Sequence, residues 1–201
     1  MLKPLYEKVD LPVASIRRYL EPGPIVLVSS THGERRNVMT MGWHTVIEFS
    51  PSLIGCVISS NNHSFGMVRD SGECVINIPT SALAEEIVGI GKCSGAWIDK
   101  FETFKLTTEP AKLVKAPLIR ECFANLECRL VDDSLVGKYS FFVFEVVKAH
   151  AATTPKYPET LHYMGDGTFM VSGKIIEQHP KFSAGILWRR ILNALRPVQR
   201  A

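Results

Sequence analysis

The chain has 201 residues, 46% of them hydrophobic and 21% charged, which suits one well-packed domain with a terminal extension and excludes a disordered composition. The formal net charge is only +3, and no Arg/Lys run interleaved with aromatics occurs in the body of the chain, so nucleic acid is not an expected partner. Five cysteines without a C-x-x-C pair, three of them (Cys56, Cys74 and Cys128) inside apolar runs, point to reduced, buried thiols rather than a disulfide framework.

The opening stretch lacks an apolar signal region, and no apolar run approaches the roughly 20 residues of a membrane-spanning helix. With reduced thiols, this makes the cytoplasm the expected location. Pro22-Gly23-Pro24 introduces a predicted strand over 25–29, and Thr31-His32-Gly33-Glu34 reads as a turn. One strand is predicted over 39–48, then a turn at Ser50-Pro51-Ser52 and a strand over 53–59. A short helix is predicted over 64–70, a strand over 73–78, and a helix over 81–89 with Leu83, Ile87 and Val88 at helical spacing and Thr80 or Ser81 as N-cap.

Strands are predicted again over 123–132 and 139–150. In the first, Leu126, Cys128 and Leu130 share one face and Glu127 and Arg129 the other, as in a half-exposed antiparallel strand. The run 141–147 is nearly all apolar and predicts burial on both faces. Phe182, Ile186, Leu187, Ile191, Leu192 and Leu195 form the stripe of a basic helix over 182–195, which Pro197 ends. Packing on the domain or on a partner subunit is the first reading of that helix; contact with a membrane surface and docking of a redox partner are the alternatives. Many strands with a few short helices fit a mainly β, antiparallel barrel better than a parallel βαβ fold.

The stretch 37–64 carries the chemistry. Asn37, Thr40 and Trp43 set an amide, a hydroxyl and a large aromatic within seven residues. Further on, Ser59-Ser60-Asn61-Asn62-His63-Ser64 clusters hydroxyls, amides and an imidazole at a helix start, where unpaired N–H groups attract anions. Taken alone, this second cluster reads first as a polar loop capping a helix, with phosphate binding as the alternative. The first cluster shifts the balance, because a flavin needs an apolar slot for its ring and polar groups along one edge.

Those residues resemble the flavin reductase-like, FMN-binding split-barrel family, and its flavoredoxin branch most of all. The resemblance rests on Asn37-Val38-Met39-Thr40 followed by Trp43; Pro51; His63-Ser64; Glu73-Cys74-Val75-Ile76-Asn77-Ile78-Pro79; and Ser94-Gly95 followed by Asp99-Lys100-Phe101. It runs from about residue 22 to residue 173 and implies an antiparallel split barrel of Greek-key type over 1–173, with a helical extension over 174–201. It implies that Asn37, Met39, Thr40 and Trp43 lie along the flavin ring and ribityl chain, and that backbone groups of Thr45, Val46 and Ile47 edge the ring. Ser60, Asn61, His63 and Ser64 would hold the phosphate. Lys100 matches a family lysine near the flavin that often reaches the site across a homodimer; an exposed surface lysine is the alternative reading. The chain departs from the family in two places. Gly137 is followed by Lys138-Tyr139 rather than Asp-His, leaving Tyr139 as a possible donor. Phe169 stands where a tyrosine is common, which keeps the ring and loses the hydroxyl.

The remaining histidines show no metal-ligand spacing, and Glu85-Glu86 and Asp132-Asp133 read as solvated faces. No G-x-S-x-G, Walker A or dinucleotide fingerprint occurs, so NAD(P)H would dock over the flavin without a domain of its own. The resemblance thus implies an FMN oxidoreductase passing electrons from NAD(P)H to flavin, ferric iron or a protein. An electron carrier with little NAD(P)H activity and a non-catalytic flavin-binding module are the alternatives.

Overall fold

A computed structural model describes residues 23–177, so the predicted helix over 182–195 lies outside the described residues. In chain order the elements are β1 (Val26–His32), β2 (Arg35–Met41), β3 (His44–Phe49), β4 (Ser52–Val57), α1 (His63–Ser71) and β5 (Glu73–Ile78). A 3₁₀ turn (Ser81–Leu83) leads into α2 (Ala84–Lys92), followed by α3 (Lys100–Thr103), β6 (Thr108–Glu109) and β7 (Leu118–Ile119). Last come β8 (Ala124–Asp132), α4 (Val136–Tyr139), β9 (Phe141–Ala151), β10 (Leu161–Gly165) and β11 (Thr168–Val171).

Seven strands make one sheet in the order β2-β1-β5-β8-β9-β4-β3, with every pairing antiparallel. Its two edge strands, β2 and β3, are joined by only Gly42 and Trp43. In a flat sheet, six strand spacings of about 4.8 Å would hold them about 29 Å apart. Three Cα steps span at most about 11 Å. The sheet must therefore roll into a barrel, and because no ladder joins β2 to β3 the barrel is split there. Val57 N–H donates to the Trp43 carbonyl at 2.9 Å, which carries the β3–β4 pairing back to the link, and across the seam His44 Nε2 lies 2.8 Å from the Pro24 carbonyl.

Alternate residues of the strands fill the barrel. Val26, Val28, Met39, Met41, Cys56, Cys74, Ile76, Cys128, Phe142 and Phe144 form its interior, and Val68 of α1 joins them. A second cluster lies outside β1 and β2, where Ile87 and Ile90 of α2 and Phe101 of α3 cover Ile25, Leu27 and Val38. Thr40 Oγ donates to the Ile87 carbonyl at 2.7 Å and ties α2 to β2.

Four expectations change. The strand over 39–48 is two strands, broken at the seam where the chain leaves one edge for the other. The last long strand starts at Phe141, because 136–139 is a helical turn ending at Ser140 with φ of 54°. Only Phe142 and Phe144 of 141–147 are buried; their neighbours are partly exposed on the barrel's outer face. Thr80 stands at the start of the 3₁₀ turn without a side-chain capping bond. The hairpin β10–β11 had no periodicity long enough to announce it.

Glu127 is a fifth correction: it is fully buried rather than solvent-facing. Segment 112–114 folds over the outer face of β8, and its amides need an acceptor. The Glu127 carboxylate accepts from Lys112, Leu113 and Val114 N–H at 2.5–3.2 Å and pairs with His150 Nε2 at 2.7 Å. Burial pushes this carboxyl up, but the His150 bond and the amides outweigh it and hold it below the ordinary carboxylate value.

A carboxylate whose native pKa is depressed stabilises the fold above its unfolded pKa, and that stability is lost as pH falls through the native value. Glu127→Gln should therefore cost about 1–3 kcal/mol at neutral pH, since buried amides lose their charged acceptor. The gap between variant and wild type in thermal melts should shrink as pH falls below the ordinary carboxylate range and through the depressed native value, where the wild-type carboxylate also protonates. A gap that stays constant down to acid pH would contradict this assignment.

Candidate functional site

The strand ends next to the seam enclose two adjoining cavities. The larger, about 550 Å³, falls in the range of small-ligand sites. Its walls are mostly apolar: Ile25, Met39, Met41 and Val57 from the barrel, Ile87 and Val88 from α2, and Trp43, Tyr163 and Phe169. The smaller, about 130 Å³, is polar, with Asn37, Asn61, His63, Ser64, Ser94 and Lys100 around it. Met39, Thr40, Asn62 and Gly91 line both, so the two are compartments of one site.

The helix α1 begins at the polar compartment. Its N-cap residue, Asn62, makes no side-chain capping bond; Phe65 N–H donates to the Asn62 carbonyl at 2.9 Å, which leaves the His63 and Ser64 amides for another acceptor. Asn62 N–H donates to the Ser59 carbonyl at 2.9 Å and Asn61 N–H to Ser59 Oγ at 3.3 Å, which sets the loop before the helix. Across the cavity, Asn37 is only 3% exposed and donates from Nδ2 to Ser64 Oγ at 2.8 Å. Its Oδ1 is buried without a hydrogen-bond partner. A buried unsatisfied amide oxygen costs on the order of 1–3 kcal/mol, the mark of a site awaiting a ligand or water.

Gly95 closes this compartment from the other side: a Cβ there would overlap the Asn37 side-chain oxygen. Lys100 is 4% exposed, and its ammonium donates to the Ile90 carbonyl at 2.9 Å. Its position is set by Asp99, the N-cap of α3, whose Oδ1 accepts from Phe101 and Glu102 N–H. Arg36 holds Asp99 in turn with a 3.1 Å ion pair. Burial pushes the Asp99 carboxyl up, but the Glu102 amide and Arg36 prevail and keep it below its ordinary value. Burial lowers the pKa of Lys100 as well, against the pull of the nearby Cys93 sulfur.

Of the residues expected from the sequence, the structure brings together Asn37, Met39, Thr40, Trp43, Asn61, His63, Ser64, Lys100 and Phe169. Lys100 belongs to its own chain's cavity, so the reading of it as an exposed lysine is corrected. Thr45, Val46 and Ile47 lie on β3 with exposed side chains and line neither compartment. Ser60 is exposed at the turn before α1, and Tyr139 is exposed at the end of α4; neither reaches the cavities. Sequence reasoning did not single out Lys92, Cys93 or Tyr163 as site residues. Ser94-Gly95 was noticed only as a motif, although the close approach to Asn37 explains why a glycine stands there.

A family model described as the flavin reductase like domain matches residues 17–171. An uncharacterized protein of Archaeoglobus fulgidus is 37% identical over 135 residues, 67% of this chain and 76% of the relative. The Escherichia coli K12 protein YddH, also uncharacterized, is 32% identical over 172 residues, 78% of this chain and 90% of the relative. Among solved structures, the FMN-binding domain of a flavin reductases-like enzyme from Shewanella baltica superposes with a TM-score of 0.71 at 26% identity, covering 83% of this chain and 95% of that one. A flavoredoxin from Methanosarcina acetivorans superposes with a TM-score of 0.75 at 22% identity, covering 90% and 100%.

Gly95→Ala should push the Asn37 amide out of place and cost about 1–3 kcal/mol of stability as overpacking. Asn37→Ala in the same background should recover most of that loss. Urea titration of the two single variants and the double variant gives the coupling; additive losses would show that Gly95 and Asn37 do not meet.

Proposed function

The chain belongs to the flavin reductase-like domain family, and from that premise we propose that it binds FMN across both compartments and works as a flavin-dependent oxidoreductase. The observation that carries this reading is the division of one site into an apolar slot and a small polar chamber. That division matches a flat ring joined to a phosphate ester. When bound, FMN supplies the capacity to accept a hydride and release electrons singly or in pairs.

The residues present fit that group. Met39, Met41, Ile87, Val88 and Trp43 offer apolar walls for a ring, and Tyr163 and Phe169, whose rings are tilted by 53° with centroids 5.2 Å apart, add an aromatic wall. The first-turn amides of α1 with His63 and Ser64 provide donors for a phosphate, and Lys100 provides a buried positive charge close by. An opposite charge nearby favours the charged form of a bound group, so Lys100 would help hold a phosphate as its dianion in the compartment it lines.

NAD(P)H as donor and flavin, ferric iron or a protein as acceptor complete the proposed reaction. A second reading has a specific observation behind it. Residues 138–139 are Lys-Tyr where the family often carries Asp-His, and no residue of 136–140 lines either compartment. That favours an electron carrier that exchanges electrons with a protein partner. The assembly proposed for either reading is a homodimer. Trp43 (52% exposed), just before edge strand β3, and Val46, Ile47 and Phe49 (87% exposed) on that strand leave large apolar side chains at an unpaired sheet edge, a surface that soluble chains normally cover.

Purified protein mixed with FMN should quench flavin fluorescence with one site per chain, and Ser64→Ala with His63→Ala should weaken binding about 10–100-fold through loss of phosphate contacts. Anaerobic stopped-flow mixing of the loaded protein with NADH and NADPH then separates the readings. Bleaching of the flavin band within seconds supports the reductase, and its absence supports the carrier. In light scattering the chain should have twice its monomer mass, and Val46→Glu with Phe49→Glu should halve it. A wild-type monomer carrying FMN would overturn the dimer.

A further inference from the structure

The five cysteines are not equivalent. Cys56, Cys74, Cys122 and Cys128 are buried. Burial pushes the Cys56 thiol far up and the Cys122 thiol up to about 12; Cys74 is raised first by its hydrogen bond with Cys128 and then by burial. Such thiols react slowly, because the thiolate is the nucleophile. Cys93 alone is partly exposed, and it lines the polar compartment. It directly follows α2, and its thiol and the Lys100 ammonium both reach the Ile90 carbonyl, at 3.8 and 2.9 Å. The unpartnered Asn37 Oδ1, itself buried, lies in the same compartment.

We propose that Cys93 is a modification site for peroxides and soft electrophiles, and that its modification and occupation of the polar compartment exclude each other. The clause about occupation rests on the flavin reading above. In the oxidation, the thiol sulfur attacks one peroxide oxygen and the O–O bond breaks. The sulfur keeps that oxygen as S–OH and is oxidised by two electrons; the other oxygen leaves as water with the displaced protons. The added oxygen goes into a chamber of about 130 Å³, beside the Lys100 ammonium that a phosphate would also face. A phosphate seated in so small a chamber would share its walls with Cys93 and so compete with the added oxygen for space. The device would switch the cofactor site off when peroxide accumulates and let a thiol reductant restore it.

Iodoacetamide labelling followed by intact-mass measurement and peptide mapping tests the first half. One adduct at Cys93 is expected, and FMN at about 100 times its Kd should slow labelling by at least tenfold. First labelling at another cysteine, or equal rates with and without FMN, would overturn the proposal. The second half is read as the FMN dissociation constant by fluorescence quenching before and after a brief hydrogen peroxide treatment. The wild type should weaken by about tenfold or more and recover with dithiothreitol. In Cys93→Ser the ratio of the two constants should stay near one. Weakening of that variant as well would assign the effect to another group, such as Met39, and overturn the proposal. If untreated wild type binds FMN and peroxide leaves its affinity unchanged, this inference fails alone; if untreated wild type does not bind FMN, the flavin reading fails with it.

Discussion

Two residues, Gly42 and Trp43, join strands that stand at opposite edges of a seven-stranded sheet. A link that short cannot cross a flat sheet, so the barrel is a consequence of chain connectivity before it is one of side-chain packing. Closure brings β2, which carries Asn37, Met39 and Thr40, next to the end of β4 and the loop that opens α1. The site lies where that seam leaves the strands unpaired. Backbone that would otherwise complete a ladder is free there to border a ligand, and the apolar residues of both edges become the walls of a slot.

The polar groups around the seam are held by one another. Arg36 pairs with Asp99, Asp99 caps α3, and α3 turns the Lys100 ammonium inward to the Ile90 carbonyl. Each step places a charge that would be costly if unpaired at the next level of burial. The exception among the described residues is the Asn37 oxygen, left without a partner against Gly95. Elsewhere the fold satisfies its buried polar atoms closely. Asn77, fully buried, donates to Leu27 and accepts from Ile119 N–H, and Glu127 gathers three amides and a histidine. An unsatisfied atom against that background marks a place shaped for something beyond the chain.

The two compartments divide recognition by chemistry. Apolar area in the larger one favours any flat, poorly hydrated ring, while donors in the smaller one select for an anion on a tether. The same division puts the only partly exposed cysteine in the polar chamber, apart from the apolar slot. A thiol placed there can sense the occupancy of the chamber without touching the ring.

The sequence by itself determined most strands of the large sheet, because β-branched and aromatic runs bounded by turn residues leave few alternatives; the short strands β6 and β7 and the hairpin β10–β11 carry no such run. It also determined the pairing of Asn37–Thr40 with His63–Ser64 as one chemistry, since residue types and order carry that resemblance. Tertiary structure alone decided the break at Gly42-Trp43, because the apolar pattern runs on through 39–48 while the chain changes edges. It decided that Glu127 is buried and Thr45–Ile47 are exposed, since alternation fixes which residues share a face but not which face another segment covers. It decided, too, that Lys100 turns into its own chain's cavity and that Cys93 joins it there. Those placements depend on a cap and an ion pair formed by residues 63 positions apart, which no local pattern records.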